Sequence, residues 1–246
     1  MAGYRYPRFF AHRGGGCLAP ENTLAGIRLA ARLGYRGVEF DVMLCRDGVP
    51  VLIHDETLER TSDGAGLVSQ TALLELRSLD AGGKMHRAYA GEIIPTLEEA
   101  LACCSNLGLT ANAEIKPATG FAKETGNAVG DMVARAEPGT LLLSSFSEEA
   151  LAAARACSPA SPRALLFEAI PADWRERLQA LDCLALHCSQ RHLTAELAAD
   201  LATAGIPFAC YTVNSRKDAA RLFGLGAAAL FTDRLDLFAP GERHVA

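Results

Sequence analysis

Glu39 and Asp41 stand two residues apart in the run Arg36-Gly37-Val38-Glu39-Phe40-Asp41-Val42. In a β-strand, side chains alternate with a period of two, so both carboxylates point to one side. The β-branched and aromatic neighbours predict a buried strand. Two carboxylates on one buried face need a partner, and a divalent cation is the most economical one. The plain alternative is a pair of acids at an exposed strand end, bridged to Arg32 or Arg36. Glu114-Ile115-Lys116 repeats the spacing after the apolar run 109–113, with an acid and an amine on one strand face. Glu39, Asp41 and Glu114 together with water suit Mg²⁺ or Ca²⁺, which take hard oxygen ligands. No Cys/His arrangement of zinc spacing competes with them.

These residues need elements to carry them. Strand-like apolar runs alternate with helical stretches along the chain, and the strands are expected to end near His12, Asp41, Ile115, Ser145, Phe167, His187, Thr212 and Thr232. Thr96-Leu97-Glu98-Glu99 is a capping box, and Asn22, Ser147, Thr194 and Ser215 are candidate N-caps. Alternating strand and helix implies a parallel sheet, and eight strands suggest a closed (β/α)₈ barrel. The segment 42–54 has no room for a crossover helix. Asp47-Gly48 between its two apolar runs signals a hairpin that brings His54 back beside Asp41 and Glu39. Residues of about 55–95 are irregular and punctuated by glycine, and are expected to form a small insertion capping the mouth. One domain over residues 1–246 is expected.

Half of the 246 residues are hydrophobic, enough for a substantial core. A net charge of -5 and the lack of a basic stripe argue against nucleic acid as a partner. No apolar run approaches the roughly 20 residues of a membrane span. The N-terminal residues lack the apolar core of a signal peptide, and the eight cysteines form no Cys-x-x-Cys and lie mostly in apolar contexts. Buried, reduced thiols and a cytoplasmic location are therefore expected.

In a barrel of this kind the active site lies at the C-terminal strand ends. His12, Glu39, Asp41, Glu114 and Lys116 fall there, and the hairpin returns His54. Arg13 and Lys116 add positive charge that could hold an anion, most naturally a phosphate. A metal, two histidines and two cations make a site for phosphoryl transfer, the metal and cations neutralising phosphate oxygens while the histidines move protons. His187 is expected to be structural, and His86 and His244 to lie at the surface. Gly14, Gly15 and Gly16 form a rim turn, which Asn22 is placed to fix.

The ordered set His12-Arg13-Gly14, Pro20-Glu21-Asn22-Thr23, Glu39-Phe40-Asp41-Val42, Asp47-Gly48, His54-Asp55, Arg60-Thr61 and Glu114-Ile115-Lys116 resembles the glycerophosphodiester phosphodiesterases. The resemblance continues through Ser145-Phe146, Thr212-Val213-Asn214 and Thr232-Asp233, and is nearest to the cytosolic bacterial branch. It implies a (β/α)₈ barrel that hydrolyses small glycerophosphodiesters to sn-glycerol 3-phosphate and an alcohol. It also implies His12 and His54 as general acid and base, Glu39, Asp41 and Glu114 as metal ligands, and Arg13 and Lys116 as phosphate contacts. Tyr211 departs from the family's usual Trp, and Leu235 from its frequent Pro. Two other classes stay open on the residues alone: a metal-dependent barrel lyase or aldolase, and a catalytically silent barrel acting as a binding module.

Overall fold

The computed structural model of the chain describes residues 4–135 and 141–238. His244 lies outside them. The described elements run β1 (Phe9–Ala11), α1 (Leu24–Arg32), β2 (Gly37–Leu44), β3 (Pro50–Leu52), α2 (Leu73–Leu76), α3 (Leu97–Leu107), β4 (Thr110–Ile115), α4 (Ala122–Val133), β5 (Leu141–Ser145) and α5 (Glu148–Cys157). They continue with β6 (Arg163–Phe167), α6 (Trp174–Leu181), β7 (Ala185–Ser189), α7 (Ala195–Thr203), β8 (Phe208–Tyr211), α8 (Arg216–Gly224) and β9 (Ala229–Thr232). All of these strands except β3 pair in parallel in the order β1-β9-β8-β7-β6-β5-β4-β2, and β2 pairs again with β1, which closes the barrel. The helices alternate with the strands as a (β/α)₈ barrel requires.

The two faces of β2 show why the fold holds. All of its residues are buried, as in a parallel strand covered on both sides. Val38, Phe40 and Val42 pack into the main core with Ile27 and Ala30 of α1 and Leu97 and Ala100 of α3. Glu39 and Asp41 take the opposite parity and face the barrel interior. Met43 shares that parity but rises above the rim, where it joins a second core with Cys45, Val51, Ile53, Leu58, Val68 and Leu76.

That second core belongs to the hairpin and the insertion. β2 turns through Asp47-Gly48, where Gly48 has φ +74°, and returns as antiparallel β3 with Val42 opposite Leu52. Ile53 N–H donates to the Asp41 carbonyl at 3.1 Å, which brings His54 down beside the acids. Pro95 then closes the insertion against β3, its carbonyl accepting from Leu52 N–H at 2.9 Å.

Caps set the helix starts. Thr96 and Glu99 form the expected capping box, and Ser147, Thr194 and Ser215 each accept from a first-turn N–H. Asn22 is not a cap. Thr23 accepts from Gly26 N–H in its place, because Asn22 adopts φ +56° and spends its amide on Asp41. The cysteines are free, and Cys17 is exposed where a buried thiol was expected.

Candidate active site

The acids do not sit at an exposed strand end: Glu39 is 3% and Asp41 2% exposed, and the arginine beside Asp41 is Arg13, not Arg32 or Arg36. Parallel register sets Asp41 opposite Glu114 and Glu39 opposite Asn112. Glu39, Asp41 and Glu114 each place a carboxylate oxygen within 4.8 Å of the others. Burial, then the Asp41 charge, raises the pKa of both Glu39 and Glu114. Glu39 Oε1 and Asn112 Oδ1 are buried without a hydrogen-bond partner among the described residues. Two buried carboxylates, a third partly buried and the orphaned oxygens fit a hard divalent cation, because Arg13 at 3.6 Å from Asp41 and Lys116 at 3.8 Å from Glu114 offset the charge only in part and leave Glu39 Oε1 unpaired.

His12 follows β1, and its N–H donates to Thr232 O at 3.0 Å. Its Nδ1 lies 2.6 Å from Asp233 Oδ1. A carboxylate only accepts, so Nδ1 carries the proton and Nε2 is left toward the acids, 3.8 Å from Glu39 Oε2. His54 repeats the device, with Nδ1 2.6 Å from Asp55 Oδ1. Asn214 braces Asp233, its Nδ2 donating to Asp233 Oδ2 at 2.8 Å. The two imidazoles differ electrostatically. Burial pulls His12 down, but the Asp233 hydrogen bond and the Glu39 charge outweigh it and leave its pKa raised. Burial also pulls His54 down, and with Arg13 and Lys116 nearby it stays lowered despite Asp41 and Asp55.

The rim turn after His12 is tight. Arg13 takes φ +51° and donates its N–H to Glu39 Oε2 at 2.8 Å. Its guanidinium reaches Glu21 at 2.9 Å and lies 3.6 Å from Asp41. Gly16, at φ +54°, passes so close to Asp233 that a Cβ there would lie 2.3 Å from its carbonyl oxygen. Asn22 donates to Asp41 Oδ2 at 2.9 Å and accepts from Asp41 N–H at 3.0 Å, which fixes this carboxylate from behind. Lys116, one residue past β4, places Nζ 3.8 Å from Glu114 Oε1, so the acid and the amine do share a face.

All seven residues singled out from the sequence (His12, Arg13, Glu39, Asp41, His54, Glu114 and Lys116) line one cavity of about 340 Å³. Phe146, Leu166 and Tyr211 contribute apolar wall to it. His187 is buried at its floor, where the Tyr6 hydroxyl is 3.0 Å from Nε2 and burial drives its pKa down to about 3, as suits a neutral structural histidine. Sequence reasoning missed the parts played by Asp233, Asp55 and Asn112. The dipeptide His54-Asp55 was the available signal for Asp55, while Asp233 meets His12 only through the fold.

The sequence profile of the glycerophosphoryl diester phosphodiesterase family matches residues 12–237. The chain is 32% identical over 228 residues to a glycerophosphodiester phosphodiesterase of Caldanaerobacter subterraneus subsp. tengcongensis, covering 91% of this chain and 92% of the relative. Human glycerophosphodiester phosphodiesterase 1 is 46% identical over 108 residues, or 43% of this chain and 33% of that one. Among solved structures, an Oleispira antarctica phosphodiesterase in complex with the product sn-glycerol-3-phosphate superposes with a TM-score of 0.89 at 42% identity, covering 92% of this chain and 93% of the other. A glycerophosphodiester phosphodiesterase from Agrobacterium tumefaciens has a TM-score of 0.76 at 26% identity, covering 95% and 99%.

Proposed function

The chain belongs to the glycerophosphoryl diester phosphodiesterase family, and from that premise we propose how its residues divide the hydrolysis of a glycerophosphodiester into sn-glycerol 3-phosphate and a free alcohol. The observation that carries the assignment is a pair of imidazoles, each held at Nδ1 by a carboxylate at 2.6 Å, facing three clustered acids in one cavity.

Glu39, Asp41 and Glu114 hold a divalent cation, Mg²⁺ or Ca²⁺. Bound there, the cation supplies positive charge to a phosphate oxygen and lowers the pKa of a hydroxyl it contacts. Arg13 and Lys116 hold the remaining phosphate charge. His12 and His54 act through Nε2 as the general acid and base, with Asp233 and Asp55 fixing tautomer and direction. The glycerol 2-hydroxyl attacks phosphorus as one histidine takes its proton. The bond to the alcohol breaks as the other histidine protonates the leaving oxygen. Water then opens the cyclic phosphate with the two roles exchanged. Residues 1–246 work as one barrel domain, and the reaction takes place in the cytoplasm, where the eight cysteines would stay reduced. A silent binding module would have no use for two braced imidazoles beside the acids.

The test of the route is the 2-deoxy analogue beside its parent at saturating concentration. An internal hydroxyl near phosphorus is worth up to ~7–11 kcal/mol of barrier. The analogue is therefore expected to turn over very slowly, and a cyclic glycerophosphate to be accepted as substrate. Comparable kcat for analogue and parent would assign first attack to water instead.

A further inference from the structure

We propose that Arg60 is a positioning residue that fixes His54 and Arg13 together, and that this clamp is what the insertion contributes to the reaction; the proposal rests on the roles given to those two residues above. Arg60 follows the hairpin at the start of the insertion. Its guanidinium makes two forks. Nε lies 2.5 Å from Asp55 Oδ2 and Nη2 3.1 Å from Asp55 Oδ1. On its other edge, Nη1 lies 2.7 Å from Glu21 Oε2 and Nη2 2.8 Å from Glu21 Oε1. Each clamped carboxylate holds one member of the site. Asp55 Oδ1 accepts from His54 Nδ1, and Glu21 Oε1 accepts from Arg13 Nη1. One planar group thus links the proton-transfer residue on the hairpin side to the phosphate-binding cation on the β1–α1 rim turn.

Stability alone is a weak reason for this arrangement. The Arg60 side chain is 46% exposed, and surface ion pairs contribute roughly 0–1 kcal/mol each. Geometry is the stronger one. A guanidinium presents its donors in a rigid plane, so two forks fix the planes of two carboxylates at once. Without Arg60, Asp55 is free to rotate away from His54. Glu21, left with Arg13 as its only guanidinium, then competes with phosphate for it. Lysine offers a point charge and cannot make either fork. The two arms predict separable effects, with the Asp55 arm acting on kcat and the Glu21 arm on KM.

The experiment measures kcat and KM with glycerophosphocholine and saturating Mg²⁺ or Ca²⁺ for the wild type, Arg60→Gln, Arg60→Lys, Asp55→Asn and the Arg60→Gln/Asp55→Asn double variant, with thermal melting of each. Arg60→Gln is expected to lower kcat about 10–100-fold, the range for losing a group that orients a functional side chain, and to raise KM. Arg60→Lys is expected within about threefold of it. The double variant should match the slower single variant in kcat within about threefold, because both remove one device. Its KM should still be raised by loss of the Glu21 arm. Near-native kcat in Arg60→Gln, full rescue by Lys, or multiplied losses in the double variant would overturn the clamp. If Arg60→Gln does not fold, the Lys variant and Asp55→Asn decide by the same criteria. A wild type that cleaves no glycerophosphodiester would instead refute the function on which the clamp rests.

Discussion

A histidine is useful in this site because a carboxylate fixes its Nδ1 and aims its Nε2. His12→Ala and His54→Ala are each expected to lower kcat by ~10²–10⁴-fold while remaining folded, since both side chains sit partly exposed at the rim. Near-native kcat in either variant would remove that residue from the mechanism. Their opposite pKa directions give a second prediction. In the chelated protein, NMR titration should find His12 above the ordinary histidine value, where Asp233 and Glu39 outweigh burial, and His54 below it. The sign for stability follows. His12 contributes stability at low pH that is lost as pH rises through its raised pKa. His54 opposes folding at low pH, because the unfolded chain takes up its proton first. The acids were legible in the sequence because strand parity puts Glu39 and Asp41 on one face without further information. Asp233 had no such signal, since it lies in contact with His12 across 221 residues of chain.

The hairpin and the rim turn carry the site at the next scale. The hairpin could be read locally, from Asp47-Gly48 between apolar runs too short for a crossover, and β3 returns where that pattern requires. The rim turn could not. Asn22 has the composition of a cap, yet its side chain brackets Asp41, a tertiary partner that outcompetes the local role. Gly16 shows how close this packing is. A Cβ at that position would meet the Asp233 carbonyl, and its positive φ disfavours any side chain. Gly16→Ala is therefore expected to displace Asp233 from His12. It should lower kcat by at least ~10-fold, with a stability cost of ~1–3 kcal/mol from backbone strain. Wild-type kcat in a folded Gly16→Ala variant would show that the turn does not hold Asp233 for catalysis.

For the molecule as a whole, the barrel concentrates negative charge that Arg13, Lys116 and His12 offset only in part. Glu39 and Glu114 have raised pKa values, so the folded, chelated protein holds more protons than the unfolded chain above the ordinary glutamate range. This part of its stability falls as pH rises through the raised values. A cation that needs these groups as carboxylates reverses the trend. The rise in Tm on adding Mg²⁺ or Ca²⁺ is expected to be larger at mildly alkaline than at mildly acidic pH, and smaller in Glu114→Gln. An equal rise at both would place the cation elsewhere. The closed barrel was legible from the alternation of strands and helices, while the second core under the insertion was not, because its residues 43–94 follow no single period. The measurement that bears most directly on the account is release of sn-glycerol 3-phosphate from glycerophosphocholine by chelated enzyme, before and after adding Mg²⁺ or Ca²⁺. Activity is expected to vanish on chelation and to return with the cation in the wild type, and to need a higher cation concentration in Glu114→Gln. Undiminished release in the presence of chelator, or restoration in Glu114→Gln at the wild-type cation concentration, would contradict a catalytic cation held by Glu39, Asp41 and Glu114.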